Sequence, residues 1–279
     1  MQELDYQDLL KNIGIKKGDI LDIASDLVSV FSFCKKQKLM FDPNHLLDAL
    51  QEMVGEEGTI MIRAFSWDFC KGDIFDIHNS PSRVGALGNI ALKRPDFRRT
   101  QHPLYSWLVW GKYQKELCLM ENVNAFGDGT PFDFLYKHHG KMLRIGSMEG
   151  DALTHLHQGE KWANVPYRKE KEFCGAYIGN DRNETYKTYS MFVRSLNFDV
   201  VMLPTEEYYP DWKKQNVMTT QMYNNALSCG CYDIRGIVDY VIKDFKENTG
   251  KKIVSINGKK GIGDFKDWDL LDFGIAPKR

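Results

Sequence analysis

The chain has 279 residues, 43% hydrophobic and 27% charged, enough apolar material for one large buried core or two modest ones. Its 37 basic and 38 acidic side chains leave a formal net charge of −1, so no basic excess points to nucleic acid and no acidic excess to a polycationic ligand. No run reaches the roughly 20 apolar residues of a membrane span, and the charged start MQELDYQDLLKNIGIKKGD has no apolar leader region. With six scattered cysteines that lack zinc-type spacing, reduced thiols in a cytoplasmic protein are expected.

GDILDIA (18–24) and GTIMIRAF (58–65) each run from glycine into a mostly apolar segment, as buried strands do. Between them, DPNHLLDALQEMVG (42–55) predicts a helix, with proline at its start, leucines at helical spacing and glycine at its end. Strand, helix, strand opens an α/β fold. SRVGALGNIALKR (82–94) then reads as a helix, SWLVWG (106–111) as a strand and YQKELCLMEN (113–122) as a helix. TPFDFLYKHHG (130–140) predicts a helix with Thr130 as N-cap, Pro131 in the first turn and Asp133 near the positive end of the dipole. KMLRIG (141–146) follows as a strand, and the next helix is expected over 151–160, leaving a strand's carboxyl end where open α/β sheets place ligands. Further on, EEYYPDWKKQN (206–216) reads as a loop, DIRGIVDYVIKDFKENTG (233–250) as a long amphipathic helix closed by glycine, and KKIVSIN (251–257) as a last strand. There is no internal repeat, so the expected architecture is a single α/β domain over 1–250, a mixed sheet flanked by helices. Residues 251–279 form a C-terminal extension packed on it. Nothing in the composition specifies an oligomeric state.

The densest chemistry lies in GDALTHLHQGE (150–160). On a helix capped by Asp151, the residues Thr154, His157 and Glu160 are three apart and share a face, while His155 points to the other side. An imidazole beside a carboxylate is a general base whose tautomer is fixed. On a strand, His155 and His157 would share a face and, with Glu160, suit zinc or iron, so a metal-dependent enzyme is the competing reading. No G-x-S-x-G, dinucleotide fingerprint or P-loop occurs.

Four stretches in order, MVGEEGTIMIRAFSWDF (53–69), FDIHNSPSRVGALGNIALKRPDFRRTQHPLYSWLVWG (75–111), AFGDGTPFDFLYKHHGKMLRIG (125–146) and DALTHLHQGEKWANVPYR (151–168), resemble the aminoglycoside 3-N-acetyltransferase (antibiotic N-acetyltransferase) family. The resemblance spans roughly residues 10–245 and implies that fold, acetyl-CoA as co-substrate and a small-molecule amino sugar as acceptor. Asp151, Thr154, His157 and Glu160 match the family's D-x-x-T-x-L-H-x-x-E pattern, in which the histidine is the base and the acidic residues its partners. Thr100, His102 and Ser106 match an element near the cofactor. At the end of the first strand, Ala24, Ser25, Asp26 and Leu27 stand where the family has HSSL, which assigns Ser25 and Asp26 to the cofactor. Lys35, Lys36 and Lys38 then offer charge to its phosphates, and Arg63 replaces a proline of the family pattern. For the acceptor, Trp67, Asp128 and Tyr208 are the expected contacts, with Tyr105 and Trp107 as further stacking faces. Arg63, Arg98 and Arg99 would hold a diphosphate if the acceptor is nucleotide-linked. The altered HSSL also leaves open a family member that binds without catalysing.

Overall fold

The computed structural model describes residues 2–146 and 153–263. In chain order they form α1 (Tyr6–Leu10), β1 (Ile20–Ser25), α2 (Leu27–Gln37), α3 (Pro43–Val54), β2 (Thr59–Arg63), β3 (Phe75–Asp76), α4 (Ala86–Ala91), β4 (Arg98–Arg99), β5 (Trp107–Gly111), α5 (Gln114–Cys118), α6 (Pro131–Lys137), β6 (Lys141–Ile145), α7 (His155–Trp162), β7 (Arg168–Ile178), β8 (Glu184–Arg194), β9 (Val200–Met202), α8 (Tyr209–Lys214), β10 (Met218–Tyr223), β11 (Leu227–Asp233), α9 (Ile234–Asn248), β12 (Val254–Ile256) and β13 (Lys259–Lys260). The central sheet has the order β10-β11-β6-β1-β2-β5-β4. β1 is parallel to β2 and β6, and the remaining pairs are antiparallel, so the sheet is mixed as expected.

Strand periodicity divides the core between the two faces of this sheet. Leu21, Ile23, Ile60, Ile62, Leu143 and Ile145 meet α1 to α4 on one side, through residues such as Leu9, Val30, Leu47 and Leu87. Ile20, Met61, Trp107 and Met142 meet α6, α7 and α9 on the other, through Phe132, Leu156, Ile237 and Val241. A Cβ on Gly159 would lie 2.6 Å from Val241 Cβ, so a glycine is what lets α7 settle this closely on α9. Pro43 and Asp42 start α3, with the Asp42 carboxylate accepting the Asn44 amide, and Gly55 ends it. Thr130 caps α6 by accepting the Asp133 amide at 3.2 Å.

Several elements differ from the sequence expectation. Residues 27–37, to which the sequence assigned no element, form α2; the expected loop at 206–216 contains α8. α9 closes on Thr249 at φ +56°, one residue before Gly250. A long antiparallel hairpin, β7–β8, carries β3 on its edge and stands apart from the central sheet. β12 pairs with β9, which ties residues 254–256 to 200–202. Among the described residues no helix is long and apolar enough to cross a membrane. Met1, 147–152 (with Asp151) and 264–279 lie outside the described residues.

Candidate active site

α7 begins at His155 and is preceded by Thr154, whose carbonyl accepts the His157 amide at 3.0 Å while its hydroxyl caps no helix amide. Helical spacing then sends the two histidines to different carboxylates. His157 Nδ1 lies 2.6 Å from Glu160 Oε2, and the Tyr167 hydroxyl donates to Glu160 Oε1 at 2.5 Å. The Arg168 guanidinium pairs with Glu160 Oε2 at 3.0 Å. Glu160 is fully buried; burial alone would raise its carboxyl, but Arg168, His157 and Tyr167 outweigh it and hold it down at about 2. The His157 ring, a quarter exposed, is lowered by burial and by Arg168 against the opposing pull of Glu160. It is therefore a neutral imidazole at pH 7, with Nδ1–H donating to Glu160 and Nε2 available to accept a proton.

His155 does not join it. Its Nε2 lies 2.7 Å from Asp22 Oδ2 in the fully buried layer beneath, and its ring sits edge-on to Phe132. Asp22 also accepts Arg63 Nε on both oxygens at 3.0 Å, the second Arg63 nitrogen at 2.5 Å, and Trp107 Nε1 at 2.8 Å. Burial would raise the Asp22 carboxyl, yet Arg63 and His155 together keep it well below the usual carboxylate range. The divergence of the two rings removes the reading in which His155, His157 and Glu160 grip one metal ion.

His157 opens on a cleft of about 430 Å3 lined by Trp67, Tyr105 and Arg168, with the β7–β8 hairpin as its outer wall through Phe173, Met191, Phe192 and Arg194. Trp67 thus lies on the cleft wall. Tyr208 does not: it is 2% exposed and packs on Trp212, ring centroids 4.8 Å apart, in the core. Asp128 is exposed but outside the cleft lining, and accepts a bond from Trp162 Nε1 at 3.1 Å.

The element assigned to the cofactor at 100–106 proves to be an internal brace. The Thr100 hydroxyl accepts the Trp107 amide at 2.9 Å, and Ser106 donates to the Ala64 carbonyl while accepting Arg99 Nε, each at 2.9 Å. Burial pulls His102 down to about 4, so its neutral ring accepts the Leu104 and Tyr105 amides at Nδ1 and donates Nε2–H to the Val123 carbonyl. With all three side chains at most 2% exposed, none offers a polar atom to a ligand. Arg63 is likewise held by the buried Asp22, Arg99 donates to the Ser80 and Ala64 carbonyls, and Arg98 and Arg99 line a separate cavity beside β4.

Ser25 ends β1, and Asp26 caps α2 by accepting the Val28 and Ser29 amides at 3.0 and 3.2 Å. Lys35 and Lys36 sit in the last turn of that 11-residue helix and Lys38 just past it, about 15 Å from the cap, too far to share a phosphate with it. Tyr167 and Arg168 belong to a stretch already singled out for its resemblance, but sequence reasoning gave them no role. Asp22, Lys71 and Arg194 carried no local signal.

A sequence-family model described as aminoglycoside 3-N-acetyltransferase matches residues 25–246. The chain is 24% identical over 267 residues to the SPbeta prophage-derived aminoglycoside N(3')-acetyltransferase-like protein YokD of Bacillus subtilis (strain 168), across 88% of this chain and 92% of that one. It is 26% identical over 192 residues to aminoglycoside N(3)-acetyltransferase III of Serratia marcescens, across 62% and 68% of the two chains. Among solved structures, aminoglycoside acetyltransferase AAC(3)-IIb superposes with a TM-score of 0.71 at 20% identity, covering 89% of this chain and 98% of that one. AAC-IIIb in its binary complex with CoASH superposes with a TM-score of 0.70 at 19% identity, covering 87% and 94%. These likenesses fix the fold.

Proposed function

Because this chain belongs to the aminoglycoside 3-N-acetyltransferase family, we propose that it transfers an acetyl group from acetyl-CoA to the amine of an amino sugar, with His157 as general base. The observation that carries this is the 2.6 Å contact between His157 Nδ1 and Glu160 Oε2 at the wall of the cleft. An ammonium has no lone pair, so the amine must first lose a proton, which His157 Nε2 accepts while Glu160 stabilises the imidazolium. The freed amine attacks the thioester carbonyl, the N–C bond forms, and collapse of the tetrahedral intermediate breaks the C–S bond. The nitrogen gives up its second proton to solvent as the amide forms, and the CoA thiolate takes the proton held on His157, so one proton is released per turnover. The Thr154 hydroxyl, which caps no helix amide, or a backbone N–H at the start of α7 would donate to the oxyanion. The start of α2, with Ser25 and Asp26, is the proposed approach for the cofactor, and Trp67 a contact of the acceptor.

AAC-VIa binds sisomicin; an aminoglycoside acceptor would make this chain a resistance enzyme, and a nucleotide-linked amino sugar would place it in polysaccharide biosynthesis. The test is free-thiol release from acetyl-CoA against a panel holding both classes. His157→Ala should lower kcat by about 10²–10⁴-fold with an unchanged melting curve. Turnover equal to the parent protein would remove His157 from the mechanism.

A further inference from the structure

The lining of the cleft bears on which amino sugar it accepts. Among the described residues, Lys71, Arg168 and Arg194 line it and no carboxylate does. Arg168 is balanced by Glu160 behind it. Lys71 shares Asp68 with Arg83, at 3.2 and 2.6 Å, so one carboxylate serves two cations. Arg194 donates to the Val200 carbonyl, a neutral partner, and forms no ion pair among the described residues, so it brings its full charge to the rim. The same lining includes Trp67, Phe173, Met191 and Phe192, apolar faces of the kind that hold a sugar ring or a base. An aminoglycoside carries several ammonium groups and would meet like charge here, with no carboxylate among the described lining residues to pair them.

We propose that the acceptor is an amino sugar bearing a phosphate ester, free or as part of a nucleoside diphosphate, with Arg194 and Lys71 as the specificity-determining residues that hold the phosphate. This rests on the acetyl-transfer reading of the same cleft. The phosphates of acetyl-CoA do not account for these cations. They are a whole pantetheine arm from the carbonyl that must reach His157, and a cleft of about 430 Å3 lies in the lower half of the range for one small ligand.

The experiment compares glucosamine, glucosamine 6-phosphate, a nucleoside-diphosphate amino sugar and sisomicin, in acetyl-CoA turnover and by calorimetric titration into the CoA-loaded protein. At least one phosphorylated acceptor should exceed glucosamine and sisomicin by about tenfold or more in kcat/KM and in affinity, the worth of a charge-assisted contact. Arg194→Gln should raise the KM for that acceptor about tenfold while leaving the KM for acetyl-CoA in place. Arg194→Glu should reverse the order in favour of sisomicin. Preference for sisomicin in the parent protein, or an Arg194→Gln effect on acetyl-CoA alone, overturns the proposal. Selective binding of phosphorylated sugars with no thiol release from any acceptor would refute acetyl transfer and keep only the assignment of the phosphate to Arg194 and Lys71.

Discussion

Replacing Asp22 by asparagine tests the layer beneath the site. The carboxylate is 0% exposed and receives Arg63, Trp107 and His155 on its two oxygens. Asparagine keeps one acceptor oxygen, turns the other into a donor facing Arg63 or His155, and takes the Asp22 charge away from a guanidinium that is 6% exposed. Breaking a buried pair from one side costs about 3–5 kcal/mol, or roughly 6–20 °C in Tm for a chain of this size. The double variant Asp22→Leu with Arg63→Met removes both charges together and should recover much of that loss. The pH dependence has a definite sign. Asp22 titrates below its unfolded value of about 4, so its contribution is complete above that pH and is lost as pH falls. Asp22→Asn should therefore flatten the acid limb of the stability curve. Urea denaturation from pH 3 to 8 reads both effects. A cost under about 1 kcal/mol at pH 7 would mean the network is not the stabilising tie assigned to it.

Glu160→Gln removes the one influence that raises His157 and leaves burial and Arg168, which lower it, so the acid limb of the kcat/KM profile should shift to lower pH. The kcat should fall about 10–100-fold as the imidazolium loses its counter-charge; a limb moving to higher pH would refute the assignment. Asp26→Ser keeps a side-chain cap on α2 but removes a negative charge from the proposed cofactor approach, so the KM for acetyl-CoA should fall several-fold in steady-state assays. An unchanged KM would move the phosphates elsewhere. Gly159→Ala places a Cβ 2.6 Å from Val241 and should destabilise the α7–α9 contact by about 1–3 kcal/mol in thermal unfolding.

The parts of this structure legible in the sequence are those whose cause is local. Pro43 with Gly55, and Thr130 with Pro131, delimit helices through caps that act within a few residues. The shared face of Thr154, His157 and Glu160 follows from three-residue spacing, and so does the separation of His155 from His157. β7 and β8 had a signal that went unread: KTYSMFVR is rich in aromatic and β-branched residues, and NDRN supplies a turn. The first half of β7, RKEKE, is charged throughout and half-buried or exposed, because only part of the hairpin rests on a core, and the strand pattern is diluted. Without the hairpin the cleft has no outer wall, and Arg168 and Arg194 have no place in it.

The buried network was illegible for a different reason. Asp22 stands in an apolar run and Arg63 at the end of another, and each alone reads as a break in a strand. The register pairs Asp22 with Met61 and Arg63 with Trp107, which puts the carboxylate, the guanidinium and the indole on one face of neighbouring strands. α7, settling on that face, brings His155 down onto the carboxylate. Taken one at a time, a carboxylate or guanidinium here would be an unpaired buried charge, and Arg63 for proline would look like damage to the family pattern. Taken together they satisfy one another and fasten the first turn of α7 to the sheet. That first turn carries His157 on its opposite side, so the departure from the family pattern at Arg63 is coupled to the residue that matches it.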